Sequence, residues 1–166
     1  MSTPLDAQLL VQVHEALLER NATVAVAESL TGGLIAAALT ETAGSSATFR
    51  GGLVVYATDL KATLAGVPRP LLDRHGPVSR PVAAALAAGV ADRLGADFGL
   101  SSTGVAGPAS QGGAPVGTVY VGLAEAGRPE PEVLDLHLSG DRSEIRRATV
   151  TAALRLLAGA LKVESA

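Results

Sequence analysis

The 166-residue chain has no cysteine, which excludes disulfides and thiolate metal sites. It has no tryptophan and only two phenylalanines and two tyrosines, so platforms for stacking single-stranded bases are scarce. Its net charge is −3, which disfavours broad contact with a phosphate backbone. Direct nucleic-acid binding is therefore not expected, although a local arginine can still serve a small ligand carrying one phosphate. No uninterrupted apolar stretch reaches the roughly 18 residues of a membrane span. Met1 to Arg20 carries Asp6, Glu15 and Glu19 without a basic segment leading into an apolar block, so no signal peptide is expected. A cytoplasmic protein without membrane contact is the default. No cluster with metal-ligand spacing is visible, and neither a metal nor a cofactor is expected.

What is present is a succession of short apolar runs and Ala/Leu-rich segments. The length predicts a single domain over residues 1–166, large enough for a core without staples. Leu9, Leu10, Val13, Leu17 and Leu18 mark one face of a helix from Leu5 to Arg20. Thr23 to Ala27 reads as a buried strand. Gly33 to Thr42 reads as a helix, Ala43 to Ser46 as a turn, and Phe49 to Ala57 as a strand with a Gly51-Gly52 irregularity. Asp59 is expected to cap a short helix to Leu64, and Pro68 and Pro70 to punctuate a turn. Ser79 is the expected N-cap of a helix over Arg80 to Leu94. Phe98 to Ser102 reads as a strand, and Thr103 to Gly117 as a Gly/Pro-rich loop. An antiparallel strand pair, Thr118 to Ala124 and Val133 to Leu138, precedes a last helix capped by Asp141. Strands and helices mix without strict alternation, which predicts an α/β fold: a three-layer α/β/α sandwich with a mixed sheet.

Val24-Ala25-Val26-Ala27-Glu28-Ser29-Leu30-Thr31-Gly32-Gly33 is the most informative stretch. An apolar run stops at a carboxylate and a hydroxyl, two glycines follow, and then a helix starts. Such a junction aims side chains and free N–H groups at one point, and it suits a serine nucleophile, an anion site or both. A serine needs a base, yet none of His14, His75 and His137 falls at an obvious strand end or Gly-rich turn. Lys61, just after the strand ending at Tyr56, is the alternative base, because a desolvated lysine can act as one. Tyr56 and Lys61 are expected to converge on one pocket, with the phenol relaying a proton or holding the amine. Ser102-Thr103-Gly104-Val105-Ala106-Gly107-Pro108 offers a second loop of backbone donors. Arg142 and Arg146, one helical turn apart, can together hold a phosphate. Each residue also has a bland reading: a turn serine, a packing tyrosine, a solvated lysine, turn glycines and surface arginines.

Taken together these blocks resemble the CinA carboxy-terminal domain family, whose stand-alone members are nicotinamide-nucleotide amidohydrolases. The match runs through Ala27 to Gly33, Gly52 to Tyr56 with Lys61, and Gly76-Pro77-Val78-Ser79. It continues through Ser102 to Pro108, Pro115 to Gly122, and Gly140-Asp141-Arg142. It covers nearly the whole chain in family order. The resemblance implies hydrolysis of the carboxamide of nicotinamide mononucleotide to a carboxylate with release of ammonia, with a small-molecule pyridine nucleotide as partner. By it, Ser29 is the nucleophile and Tyr56 and Lys61 are its partners. Thr31, Gly32 and Gly33 form the first substrate loop, whose N–H groups are the expected oxyanion donors. Thr103 and Gly104 lie in the second loop, and Arg142 lies near the ligand. Self-association into a homo-oligomer is expected. The family's other implied role is a non-catalytic, nucleotide-sensing or damage-linked interaction module. Leu30 stands where many members have cysteine, and the loop Ala109 to Ala114 is shorter and less purely Gly/Asp than the family pattern.

Overall fold

A computed structural model describes residues 6–163. In chain order it contains α1 (Ala7–Glu19), β1 (Val24–Glu28), α2 (Leu34–Leu39), β2 (Phe49–Val54), α3 (Thr58–Thr63) and α4 (Arg69–His75). These are followed by α5 (Arg80–Leu94), β3 (Phe98–Gly104), β4 (Thr118–Glu125), β5 (Glu132–His137) and α6 (Arg142–Ala160). The five strands form one sheet in the order β2-β1-β3-β4-β5. β1 runs parallel to both β2 and β3, whereas β3–β4 and β4–β5 are antiparallel. The expected mixed sheet is therefore present, and helices cover both faces.

Strand side chains alternate between faces, and β1 uses this fully. Val24 and Val26 join the core formed with α1, α2 and α6, while Ala25 and Ala27 join that formed with α4 and α5. The small residues on the second face let α5 lie directly against the sheet. A β-carbon at Gly99 would run into the Ala87 carbonyl of that helix, and one at Gly122 would stand 2.5 Å from the Ala83 carbonyl oxygen. Ser101 supports the same contact, donating from its hydroxyl to the Ala83 carbonyl at 2.7 Å. Close approach of this kind replaces the bulk that aromatic residues usually supply.

Several boundaries differ from the sequence expectation. The stretch read as a proline turn is α4: Pro68 is its N-cap and Pro70 lies in its first turn, where a missing N–H costs nothing. α3 begins after Ala57, with Asp59 inside its first turn and no side-chain cap. β2 ends at Val54, three residues early. α2 stops at Leu39, short of Thr42, and its C-cap Thr40 closes the end by donating from its hydroxyl to the Ala36 and Ala37 carbonyls. Ser79 sits at the N-cap of α5, but its hydroxyl donates to the Gly76 carbonyl instead of accepting from the helix. Asp141 does cap α6, in a reciprocal box with Glu144: each side chain accepts the other's backbone N–H, at 2.9 and 2.7 Å. Among the described residues no helix is long and apolar enough to cross a membrane.

The chain leaves β1 toward β2 on one side and later returns as β3 on the other. In open α/β sheets such a switch point opens a crevice beyond the carboxyl ends of the parallel strands. Ser29, Val55 with Tyr56, and Thr103 with Gly104 all lie at those ends.

Candidate active site

The Ser29 N–H donates to the Ser102 carbonyl at 3.0 Å, extending the β1–β3 ladder by one residue. The chain then turns through Gly32 and Gly33, whose φ values of 59° and 104° suit glycine. Gly32 N–H closes the turn on the Ser29 carbonyl at 3.0 Å. Because a trans peptide points its N–H opposite its C=O, the Leu30 N–H faces away from that bond, and it takes no protein acceptor among the described residues. Glu28 is fully buried, and its carboxylate accepts the N–H groups of Ile35 and Ala36, both at 2.9 Å. It thereby caps α2, whose N-cap residue Gly33 has no side chain.

Lys61 projects from α3 to the same point. Its Nζ donates to the Val55 carbonyl at 2.8 Å and lies 3.1 Å from the Ser29 hydroxyl oxygen. The lysine is only 2% exposed. Burial pushes its pKa from the ordinary 10.5 down to about 8, because the ammonium loses hydration. In the neutral amine, one N–H stays on Val55 and the lone pair faces the Ser29 hydroxyl. That arrangement can take the serine proton without histidine.

Above this contact lies a cavity of about 100 Å³ whose walls include Ser29, Leu30, Lys61, Thr103, Gly104 and Arg142. Thr103 is held by its hydroxyl, which donates to the Pro77 carbonyl at 2.6 Å. Gly104 has a packing reason to be glycine, since a β-carbon there would stand 2.7 Å from the Thr118 carbonyl oxygen. Arg142 spans the mouth, donating to the Gly107 carbonyl at 2.8 Å and to the Tyr56 hydroxyl at 2.9 Å. Tyr56 lines the cavity but is 58% exposed. Tyr56 and Lys61 thus line one cavity, as expected, but the phenol does not hold the amine: its hydroxyl accepts from Arg142 at the rim, and the carbonyl of the preceding residue, Val55, holds the lysine.

Two further expectations change. Thr31, Gly32 and Gly33 shape the turn but do not line the cavity, which Ser29 and Leu30 reach instead. Thr31 is buried, with its hydroxyl 2.7 Å from that of Ser102. Arg146 does not join Arg142 at the mouth, because it donates to the Leu30 and Thr31 carbonyls at 2.9 and 3.2 Å. His14 is half-buried and bonds the Thr48 hydroxyl at 3.0 Å. His137 does end a strand, β5, but neither it nor the other histidines line the cavity. Among the described residues no three His, Asp or Glu side chains gather where they could share a metal ion.

The family model for the CinA C-terminal domain matches residues 6–161. The chain belongs to the CinA C-terminal domain family. Among curated relatives, a CinA-like protein of Frankia casuarinae is 52% identical over 147 residues, covering 86% of this chain and 34% of the relative. One of Mycolicibacterium vanbaalenii is 47% identical over 153 residues, covering 90% and 35%. The chain therefore spans about a third of the length of the curated relatives it matches. Among solved structures, the competence/damage inducible protein CihA of Agrobacterium tumefaciens superposes with a TM-score of 0.90, at 36% identity over 98% of both chains. A CinA superfamily protein of Escherichia coli gives a TM-score of 0.84 at 27% identity, covering 95% of this chain and 94% of that one.

Within this CinA domain, sequence reasoning missed Glu28 and Val55. Glu28 had a readable signal: a carboxylate ending an apolar strand is buried and must find donors, and the next free donors are those of the following helix. Val55 had none, because a carbonyl carries no sequence signature.

Proposed function

We propose that this chain is an amidohydrolase that converts nicotinamide mononucleotide and water to nicotinate mononucleotide and ammonia. The observation that carries the reading is the 3.1 Å contact between Ser29 Oγ and a buried, uncharged-prone Lys61 at the floor of the cavity. Lys61 Nζ takes the hydroxyl proton while Ser29 Oγ bonds to the carboxamide carbon. The carbonyl oxygen gains negative charge, which the unpaired N–H of the cavity-lining Leu30 is available to receive. The C–N bond then breaks, the Lys61 ammonium returns its proton to the departing nitrogen, and ammonia leaves an acyl-serine. Water attacks that ester while Lys61 takes its proton, the Lys61 ammonium passes that proton to the departing Ser29 Oγ, and the acid leaves and ionises to the carboxylate, its proton going to the released ammonia or to solvent.

Arg142 supplies recognition in this reading. It is the cationic side chain of the rim, and the substrate phosphate gives it a charged acceptor in place of the neutral Tyr56 hydroxyl. The test is incubation of purified protein with nicotinamide mononucleotide, with ammonia and nicotinate mononucleotide measured together. Stoichiometric appearance of both supports the reading. Tight nucleotide binding without either product would favour the interaction-module role instead.

A further inference from the structure

The Ser29 turn receives a side chain from outside the cavity. Arg146, half-buried on α6, places its guanidinium fork across two consecutive carbonyls, with Nε 2.9 Å from Leu30 O and Nη2 3.2 Å from Thr31 O. Each peptide is planar and trans, so fixing these two carbonyls also fixes the N–H groups opposite them. One is the Thr31 N–H, which has no protein acceptor among the described residues. The other is the Gly32 N–H, which closes the turn on the Ser29 carbonyl. Gly32 leaves room for the fork: a β-carbon there would stand 3.3 Å from Arg146 Nη2. Glu28 anchors the far side of the same turn by capping α2. Arg142, four residues earlier, places one helical turn of α6 between the rim of the cavity and its nucleophile loop.

We propose that Arg146 is a positioning residue of the reaction: it holds the Leu30–Thr31 and Thr31–Gly32 peptides, and through them the Ser29 turn, so that Ser29 Oγ stays in register with Lys61 and the adjoining Leu30 N–H stays free beside it. This rests on the amidohydrolase reading for its substrate, though not for its geometry. A planar two-donor fork is required, so lysine cannot substitute.

The experiment compares wild type, Arg146→Ala and Arg146→Lys in two assays. One is steady-state turnover of nicotinamide mononucleotide. The other is the rate at which a fluorophosphonate labels Ser29, in which Ser29 Oγ bonds to phosphorus and fluoride leaves. Thermal unfolding of each protein accompanies both. The expected result is a kcat lowered about a hundredfold with KM within about twofold, and labelling slowed in parallel. Millimolar guanidinium should restore part of both rates in Arg146→Ala, which a role confined to folding would not allow. If Arg146→Ala does not fold, Arg146→Lys carries the same comparison. Wild-type labelling rates in a folded variant would overturn the proposal, as would loss of labelling without rescue by guanidinium in a folded Arg146→Ala. Wild type that is labelled at Ser29 but releases no ammonia would overturn the substrate reading and leave the Arg146 test standing on labelling. Wild type that is not labelled would overturn the proposal, because Ser29 would then not be activated.

Discussion

The floor and the rim of the cavity are built by opposite physics. At the floor, Ser29 and Lys61 are buried, the lysine meets a neutral hydroxyl and a carbonyl, and desolvation lowers its pKa to about 8. At the rim, Arg142 and Tyr56 are exposed, and their contacts are made beside water. A dry floor makes the lysine's proton easier to remove, bringing the neutral amine within reach near pH 8. A wet rim leaves side chains as they are and only arranges them. Substitutions at the floor should therefore abolish the chemistry, and those at the rim should redistribute preference among substrates.

The largest expected effect comes from the floor. Ser29→Ala should reduce turnover by at least about a thousandfold while the unfolding temperature changes little, because one small hydroxyl is lost. Ammonia release near the wild-type rate from that protein would end the distinction between floor and rim. Lys61→Arg should be equally inactive, since a guanidinium does not give up its proton in a protein.

The dry floor also has a pH signature. In the proposed mechanism the neutral amine is the working form, so kcat/KM should rise with pH through about 8 and level off above it. Folding stability should move in the same window for a related reason. Between about 8 and the ordinary 10.5 the unfolded chain binds a proton at Lys61 that the folded chain does not. Stability relative to Lys61→Met should therefore increase with pH across that range, by about 3 kcal/mol in all. Chemical denaturation of both proteins across the window measures this, and parallel curves would show that Lys61 is solvated.

At the rim the effects should be smaller and selective. Arg142→Ala loses a charge-assisted contact of about 1.5–3 kcal/mol, so kcat/KM for the mononucleotide should fall roughly tenfold or more. The riboside, which lacks the phosphate, should be nearly unaffected. Equal losses on both substrates would make Arg142 structural and place the phosphate elsewhere. Tyr56→Phe removes one exposed partner of Arg142 and should raise KM only about two- to threefold. A loss comparable to Lys61→Arg would move Tyr56 from the rim to the floor.

The sequence made the floor more legible than the rim. A strand ending in Glu28-Ser29 before two glycines announces a tight junction, and a lysine on the next helical segment is a recognisable base. The rim depends on which long side chains cross which gap. Arg142 and Arg146 look alike in sequence, one helical turn apart, and that spacing predicts a shared phosphate site. In the fold they diverge: Arg142 reaches Tyr56 and Gly107, and Arg146 reaches Leu30 and Thr31. The position of Tyr56 at a strand end predicts a phenol beside Lys61, but β2 ends at Val54 and the phenol lies at the exposed rim. The helix at Arg69–His75 was hidden because its two prolines, which stop helices elsewhere, occupy the positions where a helix begins.

By itself the sequence determined the succession of strands and helices, the mixed α/β class, the family, and the serine and lysine worth pairing. Each follows from periodicities, caps and motifs that act over a few residues. Only the tertiary structure decided that a backbone carbonyl, and not a tyrosine, holds the lysine, and that one arginine spans the mouth while its neighbour grips the Ser29 turn. It also decided that Glu28 caps α2. Those outcomes turn on distances between segments far apart in the chain, which patterns acting over a few residues do not encode.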